Sequence, residues 1–581
     1  MNKVDYQLFF KRRMVELMNS HTLDSYRVRT NNSLAILREL SYVLRSWVDG
    51  NVKRFETVEY CIDECKSLLN NDQFINNDNN IKTVFLEVLN DYVKESKSKK
   101  DELIIDKSEK LIFWADEIYN TNDSSYLGVL LNAIRSLVMT DDEFQDEDFM
   151  TRFSSFDSLL SSFACELLRR GYSKVFLYKY FKTMSVNRNH LPFEVSFNRM
   201  YDKFINPNSN NYKVIIRLEF NTKQAADIAT DHLDSLLEII PEETAGIDKL
   251  PNYYRNGIGN IRFFIIDEEA LDSHSAAIKA NDELQIQLDS QQEHIKDMKL
   301  PSQALVLQNV GDDIKLMTER FFILDTGGEF MRFEENRLHQ ELENIRNNNN
   351  IEKDVKDRLM ASLRHLRIGD GQTDIDQQFV NYWIALEFIF SSSSKNDNTY
   401  QRIKDHLVSI LSTCYLKRNL LYIKNWLVKT NLILEGDDIV ATINNDGFVN
   451  DLENILLKYR MKKLKSHIIN RDSIKKYVDL HKSNLLQHLS RIYRLRNELV
   501  HEAAIKQDIV NVTSNLRFYL VFVINQMVGF FSDVENDESK KTMLKFFWNY
   551  EKHEMLILKS QDRNEKLKSI MNVKIFNSYI V

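Results

Sequence analysis

Glycine and proline, the residues that interrupt regular structure most sharply, number only 14 and 5 in a chain of 581. So few punctuation points favour long helices joined by Asn- and Ser-rich loops over a turn-rich β architecture. A chain of this length exceeds what one hydrophobic core serves, which sets an expectation of roughly three or four domains. The apolar share of 43% and the charged share of 28% are ordinary for a folded, soluble protein.

Hydrophobic periodicity divides the chain into a multidomain, mostly α protein. Residues 1–204 read as a helical N-terminal region: SLAILRELSYVLRSWV, TVFLEVLNDYV and SYLGVLLNAIRSLV each carry an apolar stripe at helical spacing. The polar runs NNDQFINNDNN and YNTNDSS are expected to break these helices. Residues 205–345 read as a small mixed α/β domain, a sensor or scaffold. YKVIIRLEF, IRFFIIDEEA, ALVLQNV and RFFILDTGGEFMRF are β-branched or aromatic-rich, with a polar helix between the second and third and a hairpin turn at Gly327-Gly328. The tract from Glu343 to Asn350 marks a boundary. Residues 351–535 then form an all-α bundle, and residues 536–581 a peripheral helical appendage.

The four cysteines are Cys61, Cys65, Cys165 and Cys414, and no secretory segment opens the sequence, so a disulfide scaffold is not expected. Cys61 and Cys65 stand one helical turn apart without the histidines or second cysteine pair a tetrahedral site needs, so they read as ordinary helix residues and no metal is called for. No apolar run approaches the roughly 20 residues that span a bilayer, which gives no membrane association and a cytoplasmic location. The net charge of −8 removes any argument from global basicity to nucleic acid. Near residue 170, Arg169, Arg170, Lys174 and Lys179 mingle with Tyr172, Phe176, Tyr178 and Tyr180, a composition that serves stacked bases or an ordinary amphipathic helix.

One window runs against the acidic background. From Lys458 to Arg496 there are twelve Lys or Arg against Asp472 and Asp479 only. Such an excess attracts a phosphate backbone, and Lys482, Arg491 and Arg494 are its candidate substrate-binding residues. The window ends in RNELVH, Arg496 to His501, which sets a permanent cation, an amide at Asn497 and a group titrating near neutrality within two helical turns. At 100° per residue His501 shares a face with Asn497 and Arg494, whereas Arg496 is turned about 140° away, toward Ile492, Leu499 and Ala503. Residues so divergent on one helix suit a cleft formed by two chains. Two plainer readings stay open: Arg496 pairs with Glu502 or Glu387, and His501 caps or hydrogen-bonds within the bundle.

RNELVH fits the Arg-polar-x-x-x-His signature of HEPN domains. Its flanks, YRLRNELVHE, together with the earlier NYWIALEFIF, resemble the ApeA-like branch of that superfamily across residues 351–535. The resemblance implies a metal-independent endoribonuclease acting as a homodimer or higher homo-oligomer, of the kind found in toxin, abortive-infection and anti-phage systems. On this sequence it implies Arg496 and His501 as the catalytic pair, Asn497 as their polar companion, Trp383 and Glu387 as structural support, RNA as partner and no cofactor. A single motif of this kind requires a second copy of the chain to complete a two-motif site. The rest of the chain would then sense a protein or small-molecule trigger. Two other classes of function stay open: a non-catalytic HEPN module that binds RNA or nucleotide through the basic window, and a helical scaffold that RNELVH merely completes.

Overall fold

The computed structural model describes residues 3–19, 31–75, 80–96, 102–139, 148–186, 191–233, 235–238, 240, 250–255, 259–290, 298–299, 301–310, 313–321, 332–372, 374–391, 398–501, 509–532 and 541–575. It is mostly helical with a small antiparallel sheet in the middle of the chain, as the sequence pattern predicts. The divisions fall elsewhere than expected. Two compact units form, one from Met1–Cys165 with Asp325–Val581, the other from Glu166–Leu324. The helices of residues 1–165 and the expected C-terminal bundle are therefore one unit, while the Lys174–Val186 and Phe193–Ile205 helices belong to the other.

In the middle unit, strands β1 (Asn210–Phe220), β2 (Leu236–Leu237), β3 (Ile261–Ala270), β4 (Met298–Lys299), β5 (Gln303–Val310) and β6 (Asp313–Arg320) form one sheet in the order β2-β3-β1-β5-β6, with β4 beside β1. Every pairing is antiparallel, and Ile215 of β1 lies opposite Ile265 of β3 and Leu305 of β5. One face packs Val214, Ile216, Phe264 and Val306 against alanines of the Lys223–His232 and Ser273–Ser290 helices. The other packs Ile215, Phe263 and Leu305 against Ile240, Leu250 and Tyr254. Burial on both faces explains the unbroken apolar stretch Val214-Ile215-Ile216 in the central strand. β6, with the sequence DIKLMTER, lies at the sheet edge and is too polar to stand out by pattern; it ends at Arg320, where the expected strand begins, and residues 322–331 of that expected hairpin lie outside the described residues. Gly327-Gly328 lies outside the described residues, and Arg332-Phe333, expected in a strand, opens a helix to Asn347 that absorbs most of the supposed boundary at Glu343–Asn350.

In the larger unit the predicted helices appear with small shifts. YNTNDSS breaks the run as expected, though late: the Glu102–Asp123 helix extends through its first five residues, and the turn at Ser124-Ser125 separates it from the Tyr126–Met139 helix. SLAILRELSYVLRSWV is the Ser33–Val48 helix, capped where Asn32 accepts a hydrogen bond from the Ala35 amide at 2.9 Å. The Lys353–Asp370 and Ile375–Phe390 helices form a close hairpin. A methyl group on Gly369 would sit 2.6 Å from the Tyr382 ring, so only glycine permits that approach. The C-terminal helices Met543–Lys559 and Arg563–Asn572 are no appendage. Phe546, Phe547, Ile557 and Ile570 are buried, and the Lys417 ammonium donates to the Met571 and Val573 carbonyls at 2.6 and 2.7 Å.

Candidate functional site

The RNELVH residues close the 31-residue helix Arg471–His501. His501 is its last residue, and its side chain lies outside the described residues, as do Glu502 and Ala503. Arg496 and Asn497 are described. The Arg496 guanidinium donates to Asn497 Oδ1 at 3.2 Å and stands 3.8 Å from Glu387 Oε1, with the two charged side chains 29% and 34% exposed. Trp383, one turn before Glu387 on the Ile375–Phe390 helix, donates its indole N–H to the same Oε1 at 2.5 Å. The expected support pair Trp383 and Glu387 thus stands beside Arg496, joined by Tyr493, whose ring packs 5.8 Å from Trp383 and stacks 3.8 Å from Tyr400. A distance of 3.8 Å between partly solvated charges contributes about 0–1 kcal/mol, so Glu387 holds Arg496 loosely.

The three residues expected to hold substrate are otherwise engaged. Arg491 makes a two-pronged contact with Glu39 (2.8 to 3.0 Å) and reaches Glu64 at 2.7 Å; Arg494 also binds Glu39 and lies 3.7 Å from Glu498. Both guanidiniums are only 11–12% exposed. Burial alone would favour the Glu39 proton, but the two arginines overcome it and hold this carboxyl well below its usual range. At Glu64 burial prevails over Arg491 and, with the Glu39 charge adding to it, raises the pKa. Asn31 donates to Glu39 at 2.7 Å and to Glu64 at 3.4 Å. Lys482 pairs with Glu554, which also accepts from the Ser409 hydroxyl at 2.6 Å.

The same correction applies to eight of the twelve cations in the basic window. Arg460, Lys463, Lys465, Arg471, Lys482, Arg491, Arg494 and Arg496 each have a carboxylate within ion-pair distance. Among their partners are Glu16, Glu39, Glu64 and Asp157, hundreds of residues away in the chain. Charge that accumulates along the sequence is therefore offset in space, and phosphate contacts drawn from Arg491, Arg494 or Lys482 are not supported. The basic and aromatic residues near 170 likewise follow the amphipathic-helix reading. Arg169 and Arg170 pair with buried Glu166, Lys179 pairs with Glu319, and Tyr172, Phe176 and Tyr180 pack with Phe204 or one another.

Two features escaped the sequence reading. His488, on the motif helix, is buried between Tyr519 (2.9 Å) and Asn515 (3.3 Å), and burial, followed by the Arg491 charge, lowers its pKa to about 3. A groove of about 490 Å³, lined by serines, amides and apolar side chains, opens beside Arg491. Its signal was present in FSSFDSLLSS, where Ser154, Ser155, Ser158, Ser161 and Ser162 recur at helical spacing. Cys61 and Cys65 are buried on the Phe55–Asn71 helix, with burial raising both thiol pKa values. No helix among the described residues is long and apolar enough to cross a membrane. Comparisons with known proteins return no matching family model, no matching curated protein and no matching solved structure.

Proposed function

We propose that this chain is a metal-independent endoribonuclease whose site is assembled from the RNELVH segments of two copies. The observation that supports this reading is the contrast among three arginines of one helix: Arg491 and Arg494 are locked in buried ion pairs, while Arg496 is partly exposed and loosely held. In that mechanism RNA supplies its own nucleophile, the 2′-hydroxyl. One His501 removes the proton of that hydroxyl and the other protonates the 5′-oxygen as it leaves. Arg496 binds the non-bridging oxygens and offsets charge gained in the phosphorane transition state, with Asn497 orienting the guanidinium. The products are a 2′,3′-cyclic phosphate and a 5′-hydroxyl, and DNA resists cleavage for want of the 2′-hydroxyl. An anti-phage or toxin-like role follows from the motif resemblance alone.

The test incubates the full chain with labelled RNA in EDTA. Cutting that is lost in both Arg496→Ala and His501→Ala, with RNA still bound, supports the assignment. Undiminished cutting by His501→Ala sinks it. One observation favours a second reading, a helical scaffold: Glu387 already pairs with Arg496, as an ordinary structural contact would. In that case neither substitution changes any reaction on RNA.

A further inference from the structure

We propose that the groove walled by the Phe55–Asn71, Phe149–Arg169 and Arg471–His501 helices binds a small, uncharged, hydroxyl-rich molecule of nucleoside or sugar size. Its volume, about 490 Å³, lies in the range of small-molecule sites. The charge on its walls selects against an anion. Among the described residues Arg491 is the one Lys or Arg lining it, and this guanidinium is already shared between Glu39 and Glu64. Glu64 and Asp72 also line the groove, so among the described residues a phosphate would meet two carboxylates and no Lys or Arg besides Arg491, which Glu39 and Glu64 already hold in place.

Neutral hydrogen-bonding groups are what the groove offers. Among the described residues, the side chains of Ser67, Ser155, Ser158, Ser162, Asn484 and Gln487 line it without a protein hydrogen-bond partner. Hydroxyls and amides of this kind donate and accept in turn, which matches the hydroxyl groups of a sugar ring or ribose. Leu68, Phe74 and Leu159 add apolar surface for the face of a ring. The serine face of the Phe149–Arg169 helix then has a reason: its other side buries Phe153, Phe156, Leu160 and Phe163, while the groove side stays small and polar. Asn484, Gln487 and Arg491 belong to the helix that ends in RNELVH, so an occupant touches that element directly. Binding itself is independent of the nuclease reading.

The experiment titrates the full chain with adenosine, uridine and glucose, and with AMP, UMP and glucose 6-phosphate, following heat of binding and melting temperature. The expected result is saturable binding of a neutral compound, with its phosphorylated form at least about tenfold weaker. The nucleoside and sugar arms separate the two sources. Ser158→Phe, which fills the groove from an exposed position, abolishes binding, and Gln487→Leu, which adds no bulk, weakens it by about tenfold or more while the unliganded melting temperature holds. Absence of binding by all three neutral compounds overturns the proposal. So does equal or tighter binding of the phosphorylated forms, or binding that survives both substitutions.

Discussion

Arg496 and its neighbours Arg491 and Arg494 are the same residue type on one helix, and what each one meets sets its chemistry. The loose contact of Arg496 with Glu387 makes the carboxylate more useful to Trp383 than to the arginine, since the indole bond is the shorter one. Glu387→Gln keeps an acceptor for that indole and is expected to change stability by less than about 1 kcal/mol, whereas Glu387→Ala strands a buried N–H and costs about 1–2 kcal/mol. Urea unfolding of the two variants checks the order; an equal loss in both would place the energy in the charge pair instead. At His488, Asn515 donates to Nε2, which leaves Nδ1 to carry the proton and donate to the Tyr519 hydroxyl. Its pKa of about 3 lies below the unfolded value of about 6.5, so the unfolded chain takes up the proton first as pH falls. The stability this neutral imidazole supports is whole above about pH 6.5 and is lost toward pH 3. The gap in unfolding free energy between the wild type and His488→Gln should narrow from pH 7.5 to pH 4.5, and a constant gap would contradict a buried neutral histidine.

At the scale of elements, the motif helix is set in place by the helices before it in the chain. Glu39 on Ser33–Val48 and Glu64 on Phe55–Asn71 reach Arg491, and Glu39 reaches Arg494 as well. Breaking a buried ion pair from one side leaves the other charge uncompensated, so Glu39→Gln, which faces two arginines, should cost about 3–5 kcal/mol. Glu64→Gln should cost less, because Glu64 pairs with Arg491 where Glu39 meets two arginines, and its burial favours the neutral acid. Urea unfolding of both variants gives the order, and a milder loss at Glu39 would refute this account of the cluster. Each of these helices was legible as a helix because its apolar stripe recurs at 3.6-residue spacing. Their pairing was not, since nothing local in SLAILRELSYVLRSWV says that Glu39 answers two arginines more than 450 residues later. For the same reason the candidate site was half legible. Arg496 pairs with Glu387, one of the plainer readings left open, while the cations chosen for phosphate are the internal partners of carboxylates. β6 was missed because an edge strand can be polar and still complete a sheet.

At the scale of the whole molecule, residues 351–535 looked self-sufficient in sequence, with their own helices and motif. The structure joins them to residues 1–165 and to the C-terminal helices in one unit, and the connections are charged and buried. Arg460 binds Glu16 at 2.7 Å, Tyr459 and Lys463 bind Asp157 at 2.8 and 3.2 Å, and Lys404 binds Glu56 at 2.6 Å. A fragment of residues 351–535 would therefore leave Arg460, Arg491, Arg494 and Lys404 without Glu16, Glu39, Glu64 and Glu56, alongside apolar surface that the Met543–Lys559 helix now covers. Each lost buried pair costs several kcal/mol, and domain stabilities are typically 5–15 kcal/mol, so the sum exceeds what such a fragment can lose. The expected outcome is a fragment without a cooperative thermal transition by circular dichroism. The Glu166–Leu324 unit, which carries its own two-faced core, should melt cooperatively when made alone. A sharp transition for residues 351–535, close to that of the full chain, would show that the bundle is a domain in its own right and that the contacts with Glu16, Glu39, Glu56 and Asp157 are dispensable to it.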